Sequence, residues 1–436
     1  MWIPHRFIQL FSLGDRKWLL SHGDDKGDTM RKAISLCLVL FMMVMTGCET
    51  SEPRNSQASE PSSVVEESSA SAEEVKSLWV LREGEFPRKP HTPDQEEIGR
   101  DRMEAYDWRW ERRNDNPLSD FDASILTDVE IITEEVPAAQ ASDAYCRGDW
   151  LIMEGKGDER RMVVYKREDD GLRFMFEQKA QNGNFIQDVM LTESYLFWSE
   201  HTPMGTEWSL YYVPLSEPET PHEILNSKEN SAVETEPDVF AMQDQLIVEL
   251  DYKGQEYGTV CGYDPRTDTW TALFQVGKLN LQLLGRGDEV YGADYDGRQW
   301  YALRYNLKTK EIYEMPLDFK YDTEEPTTVD LVGEWVVYRS SCLIKYAKND
   351  RTGELRILPD AFSFRGLGDR YVVYTVSSGE GNVYLYDFEQ DQSFKIDIGK
   401  EECSGFLFGS GEMSIALPCD VESEEGTQTV IHIREK

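Results

Sequence analysis

The chain lacks most of what catalytic and nucleic-acid-binding proteins display. Its 436 residues include only six histidines and seven cysteines. There is no GxSxG elbow, no HExxH pair and no glycine-rich phosphate loop. Nor is there a CxxC pair or a His/Cys set with zinc-ligand spacing, so no catalytic residue, metal ligand or cofactor is assigned. Positive charge is scarce as well: 45 Lys and Arg stand against 82 Asp and Glu, a formal net charge of -37. Phosphate backbones are held by clustered cations, which excludes nucleic acid as a partner. With so many acids, two carboxylates close in sequence carry no weight as a glycosidase dyad.

Long apolar runs are missing too, with one exception. Ala33–Met45 follows the charged pair Arg31-Lys32 and ends in Met45-Thr46-Gly47-Cys48. It is too short to span a bilayer as a mature helix, and it has the layout of an export signal. The ending resembles a bacterial lipoprotein signal, with Met where that pattern usually has Leu. The resemblance implies cleavage before Cys48, diacylglycerylation of its thiol, and anchorage on the extracytoplasmic face of a bacterial membrane. Residues 1–29 are then a leader extension, with translation expected to start at Met30, and residues 30–47 are the signal peptide. Residues 48–76 are rich in Ser and Glu and have no aromatics. Such a segment cannot bury enough apolar surface to offset its ordering entropy and reads as a disordered tether.

What the chain has in abundance is a repeat. Leu283–Leu317 contains four short β-rich runs separated by Arg286-Gly287-Asp288, Asp296-Gly297 and a polar turn at Asn306–Glu311. A Gly-acid step recurs at 148, 287, 333, 368 and 411, with Glu193-Ser194 and Asp244-Gln245 in the equivalent places. A second anchor, an aromatic late in the third run, falls at Tyr165, Tyr212, Tyr263, Tyr305, Tyr346 and Tyr386, and His432 takes the place in the last unit. The steps lie between 40 and 51 residues, the length of a four-stranded propeller blade. An all-β fold follows: a single β-propeller of about seven four-stranded blades over residues 125–436. The two Arg-Gly-Asp tripeptides coincide with the repeating turn, which accounts for them. Asp294-Tyr-Asp-Gly297 begins like a calcium loop but lacks the later ligands.

The last unit runs out of chain before a fourth strand. Asp128–Glu134 is β-rich and precedes the first unit, so it is expected to supply the missing outer strand and close the ring. Residues 77–124 read as an irregular or β extension. Trp79-Val80-Leu81 reads as a strand, and the alternate aromatics Tyr106, Trp108 and Trp110 favour a second strand over a poorly amphipathic helix across Asp94–Arg113.

The hydrophobic-Tyr-Asp step followed by a polar turn is clearest in Gly262-Tyr-Asp-Pro-Arg-Thr-Asp-Thr-Trp270. By it, the units from about Ser142 to Lys436 resemble those of exported β-propellers of the Tol-system periplasmic and WD-repeat-like type. The resemblance implies a binding or scaffolding module. Its ligand would be an extracytoplasmic protein, peptide or glycan; the alternative is an envelope-acting hydrolase or lyase with carboxylate catalysis.

Any site is expected where the turns between second and third strands share one face of the ring with the inter-blade connections. That face would carry Glu200, His201, Trp208, Asp251, Tyr252, Asp294 and Asp296, with the acidic segments Asn226–Asp238 and Glu422–Glu425. Acids with interleaved rings suit a cationic or carbohydrate-bearing ligand. Cys403 and Cys419 would lie opposite one another across the Gly409–Glu412 turn. That spacing permits a cross-strand disulfide, two small buried thiols being the other reading.

Overall fold

A computed structural model describes residues 77–82, 95–115, 121–137, 141–155, 161–218, 220–255, 257–277, 282–359, 363–375, 383–396, 412–416 and 427–436. Two strands come before the repeats, β1 (Val80–Leu81) and β2 (Val129–Pro137), with helix α1 (Gln95–Asp115) between them. Blade one is β3 (Ala141–Arg147), β4 (Trp150–Gly155), β5 (Arg161–Glu168) and β6 (Gly171–Lys179). Blade two is β7 (Phe185–Leu191), β8 (Tyr195–His201), β9 (Trp208–Pro214) and β10 (His222–Asn226). Blade three is β11 (Asp238–Met242), β12 (Gln245–Asp251), β13 (Tyr257–Asp264) and β14 (Thr269–Gly277). Blade four is β15 (Leu284–Arg286), β16 (Glu289–Tyr295), β17 (Trp300–Asn306) and β18 (Ile312–Pro316). Blade five is β19 (Pro326–Val332), β20 (Trp335–Ser340), β21 (Lys345–Asn349) and β22 (Leu355–Ile357). Blade six is β23 (Ser363–Leu367), β24 (Tyr371–Thr375), β25 (Val383–Asp387) and β26 (Gln392–Ile396). The seventh sheet holds β27 (Glu412–Ala416) and β28 (Thr427–Glu435).

Within each of the first six blades the four strands pair antiparallel in chain order, the meander of a β-propeller. The seventh sheet has three strands among the described residues, in the order β2-β28-β27, so six blades show the expected four strands. Among the described residues, seven hydrophobic clusters fill the gaps between successive sheets. Tyr145, Ile152 and Trp198 lie between blades one and two; Val136, Val430 and Leu151 lie between the seventh sheet and blade one. Burial of these alternating apolar faces closes the ring.

The repeated Gly-acid step has a structural cause. Gly148, Gly287, Gly333 and Gly368 adopt φ between +55° and +60°, and Asp244 takes the same conformation at +58°. Only glycine, or at some cost Asp or Asn, enters that region readily. These turns also link blades side by side. Ser194 N and Oγ donate to Asp244 at 3.1 and 2.8 Å, and Gln243 Nε2 donates to the Gly287 carbonyl at 2.6 Å.

Closure is by β2, which pairs antiparallel with β28 from Val129↔Glu435 to Pro137↔Thr427, as the repeat count requires. Charge fixes its register. Arg167 of blade one donates to Glu134 through Nε and Nη2 at 2.8 and 2.7 Å, and Arg434 Nε donates to Glu130 at 2.7 Å. On the other side, Tyr371 OH of blade six donates to Asp128.

The extension differs in part from expectation. Val80 and Leu81 do pair as a strand, along the outer edge of blade four. The strand expected at Tyr106–Arg112 is instead part of α1. Alternate aromatics are compatible with a helix when the contacts follow a different period: Asp101 and Ala105 are buried and Trp108 is half-buried, at helical spacing, while Tyr106 is exposed. Thr323 Oγ1 donates to Asp101 at 2.5 Å, and Lys320 lies over the Trp108 ring at 4.3 Å. Trp79 is buried beneath Arg304, whose guanidinium carbon stands 4.9 Å from its ring. These two tryptophans cover the side of the ring.

Replacing Arg167 with Met leaves Glu134 without its two-pronged partner. We expect a loss of about 2 kcal/mol, the worth of hydrogen bonds to a charged group. The readout is a lower urea midpoint at unchanged slope. An unchanged midpoint would show that the pair does not hold the closing strand.

Candidate acidic face at the blade three to four gap

Blade three shows how the site is built. In β12 the residues Leu246, Val248 and Leu250 pack toward blade two, whereas Ile247 packs toward blade four. Strand alternation therefore turns Glu249 and Asp251 toward blade four. Register sets Asp238 of β11 directly across from Glu249. On the other side Gly258 of β13 is across from Asp251. A β-carbon on Gly258 would stand 2.6 Å from Glu249 Oε1 and 2.7 Å from Asp251 Oδ1. Glycine is what leaves room for two carboxylates on one face.

Glu249 is 4% exposed, and neither of its carboxylate oxygens has a hydrogen-bond partner. Burial first, then the charges of Asp238 and Asp251, push its carboxyl well above the usual carboxylate range. Asp294 of β16 offers a contrast. Val290 on the same strand packs into the blade three to four gap, so alternation turns Asp294 there too. It accepts from Arg82 Nη2 at 2.6 Å, with Glu314 3.7 Å from Arg82 Nε. Arg82 compensates Asp294; no such hydrogen bond reaches Glu249.

The residues expected at the turns between second and third strands divide into three groups. Asp251 is half-buried and Tyr252 is exposed, so both reach the surface. The acidic segment Asn226–Asp238 runs beside them: Glu234 N donates to the Asp251 carbonyl at 2.6 Å, and Lys253 N to the Ala232 carbonyl at 2.8 Å. His201 and Asp296 are half-buried and serve their own turns. The His201 ring is stacked with Phe185, centroids 5.5 Å apart. Asp296 accepts from Arg298 N, Gln299 N and Tyr301 OH.

Glu200, Trp208 and Asp294 are buried. Trp208 packs among Phe197, Leu210 and Leu246. Glu200 accepts from Trp198 Nε1 and Gln181 N, both at 2.9 Å, and from Asn184 Nδ2 at 3.4 Å. Burial raises its carboxyl, opposed by those three donors. Glu422–Glu425, Cys403 and Cys419 lie outside the described residues, as does Cys48. The described cysteines Cys146, Cys261 and Cys342 are buried free thiols. Among the described residues, no three His, Cys, Asp or Glu side chains converge to hold a metal ion.

Glu249 was absent from the sequence-based set. Its signal was present nonetheless: it is the one acid inside the apolar run Leu246–Leu250.

Comparison with known proteins gives the chain no family: no family model and no curated protein matches it. Solved structures do align. YCF48 bound to a D1 peptide superposes with a TM-score of 0.44 at 11% identity, covering 72% of this chain and 99% of that one. The N-terminal domain of Nup159 gives 0.43 at 10% identity, with 72% and 98% covered.

The raised Glu249 carboxyl predicts a pH dependence. The native state holds this proton to higher pH than the unfolded chain, so Glu249 lowers stability as pH rises from the unfolded carboxylate range to its native value. Glu249→Gln should remove that fall, so its stability should gain on the parent's as pH rises from 5 to 8. Urea titrations of both chains from pH 5 to 8 provide the check. Equal pH dependence would contradict an unpaired, buried Glu249.

Proposed function

We propose that the chain is an exported lipoprotein, anchored through a diacylglyceryl group on Cys48, whose β-propeller binds a cationic segment of an extracytoplasmic protein or peptide. The observation that supports binding is the acidic end of the blade three to four gap. Asp238, Glu249 and Asp251 share one face there, and Arg82, across the gap in contact with Asp294, is engaged by Asp294 and Glu314. A surplus of acids at the end of a closed ring attracts a partner of opposite charge and speeds its encounter. A peptide is favoured over a glycan because the face is short of exposed rings. Trp208 is buried, and among the aromatics expected on this face Tyr252 is the exposed one.

The lipid anchor rests on Arg31-Lys32, the apolar run and Met45-Thr-Gly-Cys48. The serine- and glutamate-rich stretch after Cys48 would act as a leash that carries the propeller away from the membrane. In this reading the propeller holds a partner near the envelope and carries out no chemistry. The hydrolase or lyase alternative predicts turnover of envelope polymers by the purified chain, and a Glu249→Gln chain devoid of it.

Two measurements test the proposal. In cells fed labelled fatty acid, the chain should take up label and fractionate with membranes, and Cys48→Ser should abolish both. Label retained in the Cys48→Ser chain would refute lipidation at that residue. The detergent-solubilised full chain should also capture a basic partner from envelope extract at low salt and release it at high salt. Capture that persists at high salt would contradict a charge-driven interface.

A further inference from the structure

Among the described residues, Glu249 is a buried carboxylate with both oxygens unpartnered. A buried carboxylate without hydrogen bonds or a counter-ion is costly, and proteins rarely keep one without a role. The chain has surrounded this one with more negative charge. Asp238 faces it from β11, Asp251 follows on the same face of β12, and Gly258 of β13 contributes no side chain. On the fourth-blade side, alternation turns Asp294 into the same gap, but Arg82 already serves it. The space above Gly258 is bounded by one oxygen of Glu249 and one of Asp251. Glu249 is buried and Asp251 half-buried, so the pair runs from the surface inward.

We propose that Glu249 and Asp251 form, over the bare backbone of Gly258, the receptor for one lysine side chain of the bound segment. This rests on the reading of the face as a binder of cationic peptide and names the residue it selects. A lysine ammonium is a compact charge on a slender apolar stem, able to pass the half-exposed Asp251 and place its donors between two separate carboxylates. An arginine fork is planar and best matched to both oxygens of one carboxylate, which this arrangement does not present. A metal ion needs more converging ligands than the described side chains supply. Because Glu249 holds its proton unusually tightly in the free protein, binding of the ammonium sends that proton to solvent. The complex then contains two carboxylates facing one cation.

The test is calorimetric titration of the detergent-solubilised full chain with hexalysine, fully ε-acetylated hexalysine and hexa-arginine at low salt. Hexalysine should bind most tightly and the acetylated peptide should not bind. Glu249→Gln should weaken hexalysine by about tenfold or more, the scale expected when one partner of a buried charge pair is lost. Gly258→Ala should do the same without altering charge, because its β-carbon occupies the receptor. Glu193→Gln, at an exposed turn between first and second strands, should change the affinity by less than about twofold, as a rim charge does.

Proton release is a second readout: the binding enthalpy should vary with the ionisation enthalpy of the buffer in the parent and not in Glu249→Gln. If Gly258→Ala fails to fold, the nearly isosteric Glu249→Gln decides the matter. Binding by Glu249→Gln equal to the parent, or hexa-arginine as tight as hexalysine, overturns the receptor and leaves the acidic-face reading standing. No hexalysine binding by the parent overturns both.

Discussion

The pairing of β2 with β28 is the constraint on which the rest of the structure depends. A ring of blades closes only if its first and last blades meet, and here the meeting is made by a strand borrowed from before the first repeat. The nine-residue ladder does two things at once. It gives the seventh sheet its outer strand, and it places Val136 between that sheet and blade one while Val129 packs toward blade six. Without it, two apolar faces would open to water and a strand edge would be left unpaired, the usual start of edge-to-edge association. The polar ties from Arg167, Arg434 and Tyr371 add register to this apolar seal. A slip of one residue would exchange the faces on which Val129 and Val136 pack.

Rigidity of the ring is what gives the acidic face its meaning. Among the described residues each inter-blade gap holds an apolar cluster that packs the strands on either side of it. At the third blade the alternation that should place an apolar residue in the gap delivers Glu249 and Asp251 instead. The fold is closed tightly enough to keep a carboxylate buried that it does not compensate. Among the described residues Glu249 stands out as a buried carboxylate with both oxygens unpartnered, whereas buried Glu200 and Asp294 each have donors.

Much of this architecture was legible in the sequence. The Gly-acid step marks the left-handed turn between first and second strands, and the aromatic step marks the third. Together they count the repeats, and the count exposes the missing strand that Asp128–Glu134 supplies. Helix α1 was not legible, because its contacts fall on Asp101, Ala105 and Trp108, an acid, a small residue and one ring among charges, while its aromatics alternate. Which acids of the expected face are buried, and which are compensated, was not legible. Which of two adjacent acids faces a gap depends on strand phase, and whether it is compensated depends on residues as distant as Arg82. Glu200 is satisfied by Gln181 and Asn184 from a preceding turn, and Asp294 by an arginine more than two hundred positions away. No local pattern announces either partner.

The claim that this end of the ring, and not its overall negative charge, receives the partner can be read directly by hydrogen–deuterium exchange with and without a bound lysine-rich peptide. Protection is expected to concentrate in residues 226–238, the connection from blade two to blade three, and in 251–258, the turn between the second and third strands of blade three. Protection at the turns around Gly148, Gly287, Gly333 and Gly368, or a uniform effect over all blades, would contradict it.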